Sequence, residues 1–272
     1  MNVASRETLA AVREQLDSYA EGAEESALRT LSDELFAVAG LLTREPVLRR
    51  HVADASTARE ARLGLVDRLL SGKVGQPAID LLHGVAGGRW SRPVDLVDGV
   101  ESLARQAALA LAQRDGSIEE VEDELFRFAR ILDAQPRLRT LLVDPAAPAD
   151  RRVELLESVI GGKVRPVTDL LLRHLVEQPR ERSLERAVEE LSELAAARRD
   201  RSVAHVRTAV ALSAGQEERL AAALAAIYRR QIALQIEVDP DVLGGLLIRV
   251  GGEVIDGTVA SRLAAVRQRL AG

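Results

Sequence analysis

Cysteine is absent from this chain of 272 residues, which excludes disulfides, thiolate zinc sites and thiol nucleophiles. Aromatics are scarce, 2% of the total: Trp90, Tyr19, Tyr228, Phe36, Phe126 and Phe128. That shortage removes the stacking platforms on which single-stranded nucleic acids are held, and a formal net charge of -5 argues against a phosphate backbone as partner. The four histidines (His51, His83, His174 and His205) show no HxxxH or HExxH spacing, so metal chemistry has little support. No apolar run approaches the roughly 20 residues of a membrane span. Residues 1–25 carry charges throughout and lack the apolar centre of a signal peptide. The expectation is a soluble protein of a reducing compartment, without cofactor, catalytic residue or direct membrane insertion.

What is present is ordinary globular material, 47% hydrophobic and 29% charged. With so few aromatics the core must be built from Leu, Val, Ile and Ala, and an Ala/Leu/Arg/Glu-rich chain favours helices. The length suggests about two domains.

Comparison of the sequence with itself reveals a repeat. Asp33-Glu34-Leu35-Phe36 falls on Asp123-Glu124-Leu125-Phe126, and Pro46, Leu48, Arg49 and Asp54 fall on Pro136, Leu138, Arg139 and Asp144. In the same register Arg62 and Leu65 meet Arg152 and Leu155, and Gly72-Lys73-Val74 meets Gly162-Lys163-Val164. Lys73 and Lys163 are the chain's only lysines, so their coincidence points to a 90-residue duplication.

Each copy reads as a set of short helices. Leu28, Leu31, Leu35, Val38, Ala39 and Leu42 follow the i, i+3, i+4, i+7 spacing of one buried stripe; Ile118, Val121, Leu125, Phe128, Ala129 and Leu132 repeat it. Ser117 and Glu120 have capping-box spacing. Pro46 and Pro136 begin short helices, and Gly72 and Gly161-Gly162 end the next pair. Helices this short are unstable alone, so the expectation is two tandem six-helix-type bundles, residues 1–112 and 113–200.

After Arg198-Arg199-Asp200-Arg201, expected to be a solvated hinge, the period changes to two. Residues 203–211 and 232–238 read as strands, separated by a helix that opens at Ser213 and Gln216 and places Leu220, Leu224, Ile227 and Tyr228 on one side. Residues 246–250 and 253–255 flank Gly251-Gly252 as a hairpin, and Leu263, Val266 and Leu270 mark a closing helix. The fold class is therefore mainly α, with residues 201–272 forming a small α+β domain.

Apparent motifs do not carry chemistry. Gly72-Lys73 and Gly162-Lys163 lack both the upstream glycine and the following Ser or Thr of a phosphate loop. Gly244-Gly245 and Gly251-Gly252 sit beside strands as bulge and turn residues. The carboxylates Glu119, Glu120, Glu122, Asp123 and Glu124 read as a solvated helix face.

The most specific segment is Val238-Asp239-Pro240, Leu243-Gly244-Gly245, Ile248-Arg249-Val250-Gly251, Val254-Ile255-Asp256-Gly257-Thr258-Val259 and Arg262-Leu263. It resembles the C-terminal signature of the delta subunits of bacterial F-type ATP synthases, whose mitochondrial relative is the oligomycin-sensitivity-conferring protein. Residues 116–272 resemble most of an ordinary member. The additional unit ahead of them is similar to the enlarged form of some actinobacterial enzymes. The signature residues Asp239, Pro240, Gly244, Gly245, Arg249, Gly251, Asp256, Gly257, Arg262 and Leu263 read as mainly structural.

This resemblance implies a non-catalytic stator subunit, one copy per complex, held peripherally at the cytoplasmic face of the plasma membrane. It implies a helical domain that grips N-terminal segments of alpha subunits and a C-terminal domain that joins the C-terminal region of b. In the family a groove between the first and fifth bundle helices receives the alpha segment. By position, the first copy offers Leu9, Val12 and Leu16 with Leu82 and Val85; the second offers Leu172 and Leu175 with a helix ending near Gln113. Each of these residues also reads as bundle core. Two other readings stay open: a helical-repeat adaptor for amphipathic helices of unrelated partners, and an enzyme whose pocket the sequence does not reveal.

Overall fold

A computed structural model describes residues 2–179, 183–201, 203–228, 232–239, 242, 244–250 and 253–259. It is mainly helical with one small sheet, and the chain divides into two compact units, Met1–Ala195 and Ala196–Gly272. The expected boundary between residues 112 and 113 falls inside the first unit.

In the first unit α1 (Val3–Gly22), α2 (Glu25–Arg44), α3 (Pro46–Ala53), α4 (Arg59–Leu70) and α5 (Gln76–Gly87) precede a long α6 (Pro93–Arg114). They are followed by α7 (Ile118–Ala134), α8 (Pro136–Leu142), α9 (Ala149–Ile160), α10 (Pro166–Glu177) and α11 (Leu184–Arg201), the last of which extends past residue 195 into the second unit. Pro46 and Pro136 each open a helix as expected, because proline's fixed φ suits a first turn. The stripe residues of α2 and α7 are buried as predicted.

Helix α6 organises the unit. From Ala107 to Ala112 its sequence is apolar on every side, and Leu103, Ala104, Ala107, Ala108, Leu109, Ala110, Leu111 and Ala112 are all buried. A helix that is apolar all round must be surrounded, and α6 packs against α1, α2, α3 and α5 on the one hand and α7 and α10 on the other.

The polar groups of the interior hold helix ends. The Glu34 carboxylate accepts the Gly75 N–H at 2.8 Å, just ahead of α5. Glu124 accepts the Arg165 N–H at 2.9 Å and the Thr168 hydroxyl at 2.6 Å, at the start of α10. At the opposite ends, the buried Arg62 donates to the Gly88 carbonyl. The buried Arg152 donates to the carbonyls of Val176 and Glu177, and also to Asp144 and Ala147. An anion at the N-terminus and a cation at the C-terminus both complement the helix dipole, worth up to about 2 kcal/mol in partly buried geometries. Side-chain contacts add a lateral tie, the His83–Asp67 hydrogen bond at 2.7 Å between α5 and α4 and the Arg173–Glu157 ion pair at 2.8 Å between α10 and α9.

The second unit contains β1 (Val203–Thr208), α12 (Ala214–Tyr228), β2 (Ala233–Val238), β3 (Leu246–Val250) and β4 (Glu253–Asp256). The strand order is β2-β1-β3-β4. β1 and β2 are parallel, with α12 as the connection between them, while β3 runs antiparallel to both β1 and β4. Ala204, Val206, Ile248 and Val250 form the buried face with Leu224 of α12.

Several expectations need correction. Ser117 does not cap α7, because its N–H and hydroxyl are both turned to the Asp115 carboxylate. Ser213 and Gln216 form the reciprocal half of their box, Gln216 Oε1 accepting the Ser213 N–H at 2.8 Å. Ile227 is 64% exposed rather than beside Leu224 in the core. The arginine run is not wholly solvated: it lies in the last turns of α11, and Arg198 is buried. Pro240, Gly251, Gly252, Arg262 and Leu263, and with them the expected closing helix, lie outside the described residues.

The end-holding arginine gives a direct test. Arg152→Met keeps the aliphatic packing but leaves four carbonyls without their donor, and lowers first-unit stability by about 2–4 kcal/mol in urea unfolding. Arg62→Met, which removes one such bond among the described residues, has the smaller effect.

Candidate partner-binding surfaces

The seam between α1 and α5 is close. A Cβ placed on Gly84 would stand 2.9 Å from a Val12 methyl and 2.7 Å from Gln15 Oε1, so glycine lets the two helices meet. Val12, one of the positions singled out from sequence, lies at this closest approach. Val12, Leu16, Leu82 and Val85 are buried within the chain's own core, and Leu9 is half-buried against it. Leu82 and Val85 also line a narrow apolar crevice among α2 to α6.

In the second half the matching pair is α6 and α10, which adjoin. Leu172 and Leu175 are buried there. The neighbouring His174 lies under Phe36 of α2, ring centroids 3.8 Å apart. Leu175 borders a second cleft of roughly 510 Å³, shared with Asp98, Glu101, Arg105 and Gln178. Glu101 is ion-paired with Arg105 one turn along α6, so this cleft presents a neutralised pair.

The described signature residues other than Arg249 gather at one end of the small sheet. Gly244 and Gly245 have φ of 103° and 84°, a left-handed backbone that glycine adopts without strain. A Cβ on Gly245 would meet the Gly257 carbonyl oxygen at 2.4 Å. The Gly257 N–H donates to Leu246 O and the Val259 N–H to Gly244 O, which ties the loops on either side of the β3–β4 pair. Asp256 accepts the Thr258 N–H and hydroxyl at 2.9 and 2.7 Å. Asp239 is ion-paired with Arg207, and its N–H donates to Thr208 O. Arg249 is exposed on β3, opposite His205 of β1 and Val254 of β4.

Sequence reasoning passed over Phe126, which is 57% exposed although its stripe neighbours are buried. Its offset from the stripe is the one available signal, and Phe36 shares that offset while being covered. Among the described residues no group of three or more acidic, histidine or cysteine side chains is placed to hold a metal. Nor is any helix there long and apolar enough to cross a membrane.

Helical seams and a small mixed sheet, with charged side chains spent on helix ends and turns, define a scaffold class of protein. The family model for the ATP synthase delta (OSCP) subunit matches residues 104–270. The chain is 50% identical over 272 residues, the whole of both proteins, to ATP synthase subunit delta of Streptomyces griseus. It is also 50% identical to that of Streptomyces avermitilis, over 98% of each chain. A chain in the Toxoplasma gondii mitochondrial ATP synthase hexamer is 21% identical, covering 62% of this chain and 95% of that one, with a TM-score of 0.34, too low to establish a shared fold. The chain belongs to the ATP synthase delta (OSCP) family, and is a structural peripheral-stalk subunit rather than an enzyme. The family match starts inside α6, but the Streptomyces griseus relative aligns over the full length, so the helices before it are a shared feature.

The turn at Asp256 has a measurable consequence. Hydrogen bonds from the Thr258 hydroxyl and N–H hold its carboxyl below the ordinary carboxylate value. A depressed folded pKa means that its contribution to stability is present above the unfolded value of about 3.9 and is lost as pH falls through the folded value. Thr258→Val should raise the Asp256 pKa toward that ordinary value in an NMR titration, with no change at Asp54, whose partners are Ser56 and Thr57.

Proposed function

We propose that the helical unit grips N-terminal segments of alpha subunits on the catalytic head, and that residues 201–272 join the C-terminal region of b. One copy would then sit at the cytoplasmic face of the membrane as a stator linker. The observation that carries this reading is the full-length identity with delta subunits, combined with a fold whose polar side chains stabilise helices and turns. A stator needs stiffness and partner-shaped apolar seams rather than reacting groups.

The first-half seam, built on Leu9, Val12, Leu16, Leu82 and Val85, is the better candidate for the alpha segment. Leu172 and Leu175 belong to a seam whose neighbour His174 is covered by Phe36. The buried leucines would set the floor of such a seam, and the half-buried Leu9 and Gly84 its lip.

We also infer that the helical unit arose by duplication, with α6 serving as the last helix of one bundle and the first of the next. The starts of α3, α4 and α5 recur 90 residues later in α8, α9 and α10. α1 starts at Val3, α6 at Pro93 and α11 at Leu184, so α6 is the counterpart of both its fellows. Glu34 and Glu124 accept backbone N–H groups 90 residues apart, the pairs His83–Asp67 and Arg173–Glu157 recur with the same spacing, and Arg62 and Arg152 both donate to carbonyls at the end of the following helix, though not to equivalent ones.

Reconstitution tests the function. Synthase stripped of this chain should lose proton-driven ATP formation and regain it on addition of the purified protein. Trimming the alpha N-termini should weaken binding to the head by at least about tenfold, or 1.4 kcal/mol. Unimpaired coupling in the stripped enzyme would overturn the stator reading, and indifference to the trimming would overturn the alpha contact.

A further inference from the structure

Phe36 and Phe126 occupy the same phase of corresponding helices but meet different surroundings. Phe36 is 5% exposed, with its ring on His174 of α10. One turn along, a Cβ on Gly40 would stand 2.7 Å from Gln178 Nε2, so the residue just past α10 also presses on this face. The face of α2 centred on Phe36 is thus covered by the C-terminal end of α10 and the residue after it. Phe126, 57% exposed, centres the equivalent face of α7 with no such cover among the described residues. A phenylalanine held in water forgoes the burial that makes aromatics dominant in interfaces.

The charge around the two faces differs. Positions three, four and seven residues from a helical residue share its face. Around Phe36 these include Arg29, Ser32, Asp33, Gly40 and Thr43, one carboxylate and one guanidinium. Around Phe126 the equivalents are Glu119, Glu122, Asp123, Arg130 and Asp133, four carboxylates and one guanidinium. Asp123 is also paired with the exposed Arg127, a type of surface contact worth at most about 1 kcal/mol. The Gly40 position has become Arg130, so a helix seated here must stand further off at that end.

We propose that the α7 face centred on Phe126 docks a cationic amphipathic helix of another subunit, one with an apolar anchor flanked by Lys or Arg a turn away on either side. The covered face of α2 supplies the helical template, and the carboxylates supply the sign of the charge. A second copy of this chain, itself at -5, is disfavoured by that sign. The proposal rests on the stator reading only in requiring other chains to be assembled around this one. It is independent of the α1–α5 seam.

Assembled synthase carrying Phe126→p-benzoylphenylalanine tests it by photocross-linking and mass spectrometry. The expected product joins position 126 to a helical segment of a different subunit with basic residues flanking an apolar one. Cross-links confined to this polypeptide, to another copy of it, or to an acidic or extended segment would overturn the proposal, as would none in assembled enzyme. In parallel, Phe126→Ala with Glu119→Lys and Asp123→Lys should weaken retention in the synthase by about tenfold or more. It should flatten the salt dependence of retention and lower thermal stability only slightly, since the side chains are exposed although Glu119 lies in the first turn of α7 and Asp123 pairs with Arg127. Failure of the unmodified protein to associate at all speaks against the stator role. Normal association combined with an indifferent triple variant speaks against this docking face alone.

Discussion

The first unit depends on opposite charges placed at the two ends of one helix. α5 and α10 are each twelve residues long, near the length at which an isolated helix is marginal in water. A carboxylate accepts the N–H at the start of each, and a buried guanidinium donates to carbonyls at the end of each. Burying an arginine is costly unless its donors are matched, and the carbonyls at a helix C-terminus are the groups that otherwise lack partners. The two requirements cancel, which is why Arg152 can be buried with backbone carbonyls rather than a carboxylate as its acceptors. The helix is fixed along its axis as well as against its neighbours.

That axial hold matters because the apolar packing around α6 is built from alanine and leucine, whose surfaces give little resistance to sliding. Dispersion and burial are non-directional, so an Ala-rich helix in an aliphatic sleeve is stabilised without being strongly registered. Directional contacts supply the register: the Ser32 hydroxyl of α2 donates to Ala104 O of α6 and the Ser5 hydroxyl of α1 to Asp95 of α6, while Glu34, Glu124, Arg62 and Arg152 fix the ends of α5 and α10. A subunit that resists torque needs both properties, a close-packed interior of low compressibility and polar contacts that fix where each helix stops.

Much of this was legible in sequence. The stripes of α2 and α7, the prolines that open α3 and α8, the change to a period of two after residue 203, and the 90-residue spacing of Glu34, Arg62 and Gly72 all follow from local rules. The seam residues were legible as apolar but not as floor rather than lip, since Leu82 and Leu172 have the same spacing whether a partner or the chain's own neighbour covers them. Ser117 failed as a cap because Asp115, two residues away, offers its N–H and hydroxyl a stronger, charged acceptor. Ile227 lies outside the core because only one side of α12 meets a sheet of four short strands.

Phe36 and Phe126 mark where local reading ends. Their helical phase, residue type and offset from the stripe are identical, so no periodicity argument separates them. The difference is tertiary: α10 lies over one, and nothing described lies over the other. On α7 four carboxylates surround an exposed aromatic, where the α2 face carries one carboxylate and a covered ring, a combination that suits a charged partner better than it suits water.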